Sequence, residues 1–437
     1  MSSGVNGARQ RTIVLVMWGD LFEDFFDSID VSIHDFQTSL TGGWLFNYAQ
    51  ALQRAGIRAV LLHVSARVDG VMRFVHEPTG TPVTILPAPR RLRVLRAIGD
   101  RLPYRRAARS IVSWLSMPVR SLIDELRYQG AEAILTQEYE HARFDVLVGV
   151  GRFTGLPVFA SFQGGDHPNS RLERFFRGTM VRASAGLIIA AEVERQRVRR
   201  TYRVPPKKIA DIPNPVDVAA YRPRDRVEAR GLLGIPSDAV VVAWHGRVSI
   251  KPKGLDLLLE AWAQVCRQRP SVNLLLLMVG TGQDASELHR RLDAFEYPTV
   301  QWHDEYITDR SVLLRYTSAA DIYVLPSRHE GFPVAPLEAM AGSLPVVAAA
   351  ASGIPDILSA GEEHGGIVVP LEDTDALARA LGALIDDPDR RARLGVNARR
   401  RVEEQYSYEA VGERLRALLL CDGPPPLAHE RPSPRRG

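Results

Sequence analysis

Cysteine is nearly missing from this chain of 437 residues: Cys266 and Cys421 are its two thiols. That excludes a disulfide framework and a cysteine-built zinc site, and it fits a reducing compartment. Long apolar runs are also missing. The first, at residues 13–17, is too short for the core of a signal peptide, and no stretch approaches the roughly 18 apolar residues of a membrane span. The expectation is a cytoplasmic protein, at most peripheral at the inner face of a membrane. Lysine is scarce as well. Lys207, Lys208, Lys251 and Lys253 stand against 51 arginines, so half of all lysines fall in one short stretch. The net charge of +4 is modest, and nothing resembles a nucleic-acid reading motif, so no nucleic-acid partner is expected.

What is present is length and alternation. An apolar share of 45% over 437 residues can fill two or three cores. Short apolar runs alternate with segments of helical length, the pattern of βα units and a mostly parallel sheet. Candidate strands in the first half are 12–17, 59–64, 83–86, 133–136, 158–161, 187–190 and 208–212. A fresh series follows at 240–244, 273–279, 299–302, 321–325, 346–349 and 366–369. Between the series, residues 213–236 are rich in Pro, Gly and charge and contain Asn-Pro-Val-Asp, which places a hinge near 218–230. The division expected is a tail at 1–10, a first domain at 11–218, a second at 219–405, a last helical segment at 406–422, and a tail at 423–437. Both tails read as disordered from composition.

Charge is distributed unevenly. The stretch from Arg90 to Arg109 holds eight arginines and one acid, Asp100, among Leu, Val, Ile and Tyr. It reads as a solvated helix face or loop, or as a patch for anionic headgroups or a charged acceptor. Residues 19–40 carry six acids, no Lys or Arg, and four phenylalanines. A loop of that length is more often functional than idle. Its carboxylates and aromatic faces suit a polyhydroxylated acceptor; a plain acidic lid is the alternative.

The most informative segment joins a strand at 322–325 to an alanine-rich helix: Arg-His-Glu-Gly-Phe-Pro-Val-Ala-Pro-Leu-Glu-Ala-Met-Ala, with Glu330 and Glu338 eight positions apart. Pro336 fits the first helical position and Glu338 then falls at the third. One carboxylate stands at a strand's carboxyl end and the other in a helix's first turn, the crevice where doubly wound α/β folds bind ligands. A plainer reading gives Glu338 only the task of complementing the helix dipole. Upstream, strand 240–244 ends in His-Gly-Arg-Val-Ser-Ile-Lys-Pro-Lys-Gly, which sets Arg247 and two lysines just past a strand. A planar guanidinium grips two oxygens and an ammonium acts as a compact charge, a pair suited to a diphosphate.

These motifs resemble the signature of retaining, family-four-type glycosyltransferases (glycosyl transferases group 1). Two Rossmann-like doubly wound α/β domains face each other across a cleft in that family, the GT-B fold. The resemblance covers nearly the whole chain and is strongest from Arg247 to Asp356. It implies transfer of a sugar from a nucleotide-diphosphate donor to a hydroxyl acceptor, which is a sugar, a lipid-linked sugar or a small molecule. It implies retained configuration, no cofactor and no metal. Arg247, Lys253 and Glu330 take the catalytic roles it implies, with Lys251 as a possible substitute. Gly246, Lys251, Gly331, Phe332, Val334, Ala335 and Glu338 line the donor, Glu338 at the ribose. Gly42 and Gly43 resemble the first-domain glycine loop, which offers backbone amides at a helix start.

On the acceptor side Glu138, Gln163 and His167 are the candidates. Gln163 occupies the position where the family commonly carries histidine; a glutamine can hydrogen-bond a hydroxyl but cannot exchange a proton. The Asp-x-Asp triplets at Asp373 and Asp387 read as helix caps, not metal ligands. Two other functions fit the same residues: a GT-B epimerase acting on a nucleotide sugar without an acceptor, and a non-catalytic sugar-nucleotide binder.

Overall fold

The computed structural model describes residues 10–41, 44–92, 105–164, 171–223 and 225–420. Gly42, Gly43, His167, Cys421, nearly all of both expected tails and most of the arginine-rich stretch lie outside the described residues.

Two sheets carry the fold. The first contains β1 (Thr12–Val16), β2 (Arg58–Ser65), β3 (Met72–His76), β4 (Thr81–Pro87), β5 (Ala131–Gln137), β6 (Val158–Ser161), β7 (Gly186–Ile188) and β8 (Ile209–Ala210). Their order is β3-β4-β2-β1-β5-β6-β7-β8. The second contains β9 (Val240–His245), β10 (Leu274–Val279), β11 (Val300–His303), β12 (Ile322–Leu325), β13 (Val346–Ala349) and β14 (Gly366–Val369), ordered β11-β10-β9-β12-β13-β14. Pairing is parallel everywhere except between β3 and β4. Every residue of β1 is buried, because helices cover both faces of a parallel sheet; its unbroken Thr-Ile-Val-Leu-Val run is the sequence form of that burial. In register, Val14 sits between Val60 and Ile134.

Two expectations are corrected. β3 is absent from the list of candidate strands: its Met-Arg-Phe-Val-His sequence alternates, and Arg73 and Val75 are exposed, so it forms a one-sided edge hairpin with β4. Residues 19–40 are not an open acidic loop. They fold into short helices at Glu23–Phe26 and Ile33–Thr38, and Phe22, Phe26 and Phe36 are buried, packed around the ring of His63. The acids are used locally. Glu23 accepts from Ser65 Oγ and the Ala66 amide, Asp27 pairs with Arg67, and Asp35 closes a capping box with Ser32. Three of the four phenylalanines of this stretch are thus spent in the core and are not available to an acceptor, while Phe25 is half-buried.

The helix Tyr408–Leu419 belongs to the core of the first sheet, to which it contributes Tyr408, Val411, Leu415 and Leu419. Gly412 is required there, since a Cβ would fall 2.2 Å from the Ala51 carbonyl oxygen. The chain therefore passes between the two halves twice, and the passages are joined: Val216 pairs with Ser407, and the Val216 amide donates to the Tyr406 carbonyl at 2.8 Å.

The carboxyl ends of both sheets face one gap. Gly164, past β6, and Gly331, past β12, touch across it so closely that a Cβ on Gly331 would lie 2.3 Å from Gly164 Cα. Asn214 bridges the same gap by donating to the Phe332 carbonyl at 3.0 Å, and Thr41 accepts from the Arg310 amide at 2.8 Å.

Candidate functional site

In the second sheet, β9 connects onward to β10 on one side and β12 to β13 on the other, so the sheet reverses direction between β9 and β12. Ligands of open α/β sheets bind outside the carboxyl ends of such a strand pair. The two motifs of the sequence flank this point.

The β9 side is held by backbone. Gly246 (φ +155°) donates its amide to the Val279 carbonyl at 3.0 Å, and the Val248 amide reaches the Thr281 carbonyl at 2.9 Å. Gly280 (φ +128°) admits this approach, for a Cβ there would lie 2.0 Å from the Gly246 oxygen. Arg247 is exposed and forms no hydrogen bond or ion pair with any described residue. A short helix, Ile250–Lys253, then sets Lys253 Nζ 2.7 Å from Glu330 Oε1, with side chains 21% and 9% exposed. Lys251 behaves differently from the donor contact expected of it. It is 75% exposed and paired with Asp256 at 2.6 Å, an acid that Arg328 also grips. A residue two positions away on one short turn points to another side, so Lys253 and not Lys251 faces the acids.

On the β12 side the helix is Ala335–Ala341 with Val334 at its cap, one residue earlier than the spacing predicts; Pro336 is second and Glu338 fourth. Glu338 Oε1 accepts from the Tyr221 hydroxyl at 2.7 Å, and Oε2 lies 3.1 Å from His245 Nε2. Burial pushes this carboxyl upward, but the His245 hydrogen bond and charge, the Tyr221 hydroxyl and the Arg310 guanidinium outweigh it and hold the group below the usual carboxylate range. Glu338 is thus an ionised acid in a prepared setting, which the dipole reading alone does not explain. Arg310 itself lies over the Tyr221 ring and pairs with Asp217 at 3.0 Å. Phe332 is a core side chain whose carbonyl is taken by Asn214, so any donor contact from it is limited to what its backbone leaves free.

Across the gap, Glu138 departs from the acceptor role expected of it. It is 1% exposed with left-handed backbone (φ +73°), and its oxygens accept from the Glu140 and Gln163 amides at 3.1 and 3.2 Å. A buried carboxylate occupied in this way shapes two loops and does not greet a substrate. Gln163 remains at the gap, its side-chain amide donating to Ser161 Oγ at 3.1 Å and Asn214 Oδ1 at 3.3 Å. Asp373 and Asp387 cap helices through the Ala376 and Arg390 amides. Among the described residues no cluster of His, Cys, Asp or Glu has the spacing to hold a metal ion.

His245, Tyr221, Arg310 and Asn214 are absent from the sequence-derived site. His245 had a signal, standing at a strand end directly before Gly246; Asn214 had one in its Asn-Pro-Val-Asp turn. Tyr221 and Arg310 had none.

Residues 239–387, the stretch that holds Arg247, Lys253, Glu330 and Glu338, match the family described as glycosyl transferases group 1. That stretch spans all six strands of the second sheet. With two facing parallel-sheet domains, the chain has the GT-B fold. Among curated relatives, a D-inositol 3-phosphate glycosyltransferase of Saccharomonospora viridis is 32% identical over 263 residues, 59% of this chain and 60% of that one. A GDP-mannose-dependent monoacylated alpha-(1-6)-phosphatidylinositol monomannoside mannosyltransferase of Corynebacterium glutamicum is 34% identical over 222 residues, 48% of this chain and 56% of the relative. The chain thus spans under two thirds of these relatives' lengths. Among solved structures, sucrose-phosphate synthase from Thermosynechococcus elongatus superposes with a TM-score of 0.68 at 19% identity, covering 94% of this chain and 99% of that one. HepE of Anabaena in complex with UDP gives 0.69 at 16%, covering 94% and 100%. At such identities the structures speak for the fold.

Proposed function

We propose that this GT-B protein transfers a sugar from a nucleotide-diphosphate donor to a hydroxyl acceptor, with retention and without a metal ion. The observation that carries the reading is the Lys253–Glu330 pair, 2.7 Å apart at the point where the second sheet reverses direction, with an unengaged Arg247 in the same loop. A departing diphosphate gains negative charge as the glycosidic bond breaks. Arg247 and Lys253 neutralise that charge from fixed positions, the preorganised electrostatics that lowers such barriers. Release of Lys253 to the phosphate frees Glu330 for a donor-sugar hydroxyl. Glu338, kept ionised by His245 and Tyr221, accepts from the ribose hydroxyls. Backbone groups of Gly246, Gly331, Val334 and Ala335 complete the donor side, and Gln163 faces the acceptor. In retention of this kind the acceptor attacks from the leaving-group side and the departing phosphate oxygen takes its proton, which requires no histidine at position 163.

The relatives support a nucleotide sugar as donor: one is named for GDP-mannose and one structure holds UDP. We place the protein in the cytoplasm, peripheral at the membrane's inner face through the Arg90 to Arg109 stretch. Among the described residues no helix is long and apolar enough to cross a membrane. The test is a thermal-shift screen of UDP, GDP, ADP and TDP, followed by transfer assays from the sugar nucleotide of the base selected. Stabilisation by one nucleotide and a new glycoside product support the reading. An isomerised donor formed without acceptor points to an epimerase, and binding with no product in any acceptor pool to a sensor.

A further inference from the structure

The first sheet has its own reversal point, between β1 and β5: β1 connects to β2 on one side and β5 to β6 on the other. The last residue of β5 there is Gln137, a side chain that none of the roles above uses. It is 3% exposed, and both its amide nitrogen and its amide oxygen are buried without a hydrogen-bond partner among the described residues. Interiors rarely tolerate this, since each unmade hydrogen bond of a buried polar group costs about 1–3 kcal/mol. A primary amide orphaned on both atoms at the ligand-binding end of a parallel sheet marks a place where a ligand supplies the missing partners.

Its surroundings define the ligand. Ala133 and Leu135 of β5 pack into the core beneath the helix Trp44–Arg54, and the two-residue period of a strand turns Gln137 to that same face. Ser161 is its register neighbour on β6. Ser161 Oγ accepts from Gln163 Nε2, Gln163 also donates to Asn214 Oδ1, and the Tyr48 hydroxyl donates to that same oxygen at 3.1 Å. Asn214 in turn binds the Phe332 carbonyl of the second domain. The result is a row of side-chain amides and hydroxyls, bonded to one another without a carboxylate or cation between them, running from the reversal point of the first sheet to the interdomain gap; Glu138 touches it through the Gln163 backbone amide.

We infer that Gln137 is a ligand-contacting residue of the first domain that reads a hydroxyl of a neutral, polyhydroxylated ring. Its amide oxygen accepts from that hydroxyl and its amide NH2 donates to the same or a neighbouring oxygen. The chemistry is shared by the donor's sugar ring and by a sugar or cyclitol acceptor. A phosphate is the wrong ligand, because the row offers it no positive charge. This inference rests on the glycosyl-transfer reading and sharpens it by naming where hydroxyls are recognised.

The test compares the full-length protein with its Gln137→Met variant, which keeps the length and removes both polar atoms. A ligand-reading amide left orphaned in the free protein burdens stability, so the variant's melting temperature rises by roughly 1–3 °C. Stabilisation by UDP or GDP alone stays as in wild type. Loss of the added stabilisation by UDP-glucose or GDP-mannose over the bare nucleotide, equivalent to about a tenfold weaker affinity, assigns the hydroxyl to the donor sugar. Loss of the added stabilisation by myo-inositol or methyl α-D-mannopyranoside, measured with nucleotide present, assigns it to the acceptor. A lower melting temperature with both sugar responses intact overturns the inference and makes Gln137 a packing residue. Unchanged melting with both responses intact overturns it too, as an ordered water then satisfies the amide. If no nucleotide stabilises the wild type, the transferase reading fails by itself. Titration of both proteins with the two polyols alone then judges Gln137, an equal response in both counting against it.

Discussion

At the scale of single residues, the site is a set of charges prepared in advance of any ligand. Lys253 leaves Glu330 for a diphosphate in the reading above, so its ammonium matters most when charge appears on the leaving group. Lys253→Ala is expected to lower turnover by about tenfold to a thousandfold while leaving donor affinity within a few-fold, as steady-state kinetics against calorimetric binding will show; unchanged turnover removes the residue from the chemistry. Glu338→Ala is expected to act in the opposite proportion, weakening nucleotide binding more than turnover, and wild-type affinity by calorimetry would rule out the ribose contact. The positions of these two residues were legible because strand ends and helix starts are local features of the chain. The setting of Glu338 was not: Tyr221 is 117 residues from it in sequence and His245 is 93. No spacing rule reaches that far. Glu138 misled for a related reason, since an acid after a strand looks the same in sequence whether it turns out to the gap or in to backbone amides.

His63 supplies a prediction for stability. Burial among phenylalanines, assisted by the positive charge of Arg143, pushes its imidazole down to about 3 from an ordinary 6.5. The folded protein therefore binds fewer protons at this site than the unfolded chain does. Its contribution is complete above pH 6.5 and is lost as pH falls from there toward 3. His76, pushed to about 4 mainly by burial, acts in the same direction. Unfolding free energy measured by denaturant melts is expected to fall steeply between pH 6.5 and 4, and His63→Leu to flatten that slope by about 1.4 kcal/mol per pH unit. An identical slope in the variant would show that His63 is protonated in the folded state.

At the scale of elements, the strand ends of the two sheets meet through glycines. Gly331 and Gly164 approach across the gap with backbone against backbone, and Gly353 (φ +83°) closes from a third side, a Cβ on it falling 2.7 Å from the Gly331 oxygen. Gly331→Ala is expected to prop the gap open. Small-angle scattering with nucleotide bound should show a larger radius of gyration than wild type, and turnover should fall by about tenfold or more, since displacement of reacting groups by an ångström is costly. Equal dimensions in both proteins would mean the contact does not set the width of the gap. Most strands could be read from the chain because parallel strands buried on both faces are continuous apolar runs, and 158–161, 346–349 and 366–369 match to the residue. β3 hid because an edge strand keeps one wet face, and the helices of 19–40 hid because their acids serve caps and turns instead of marking a surface.

At the scale of the whole molecule, two parallel sheets facing across a gap follow from the repeated βα pattern, and the motif spacing located the reversal point of the second sheet. What the pattern could not supply is the mutual placement of the halves, which depends on contacts such as Asn214 to Phe332 and Thr41 to Arg310. Deletion of the chain from residue 407 onward would strip Tyr408, Val411, Leu415 and Leu419 from the first core. The truncated protein is expected to lose several kcal/mol from that half alone, visible as a separate, earlier melting transition in calorimetry. A single transition at the wild-type temperature would mean the helix is dispensable.

That final helix also sets an order of events on the ribosome. The half of the protein made first is completed by a helix made after the second half, whose strands are all in hand beforehand. During synthesis the later-made half can therefore finish while the earlier one waits with an uncovered groove along the helix Trp44–Arg54. A nascent chain stalled just short of Tyr408 would be the form most in need of a chaperone.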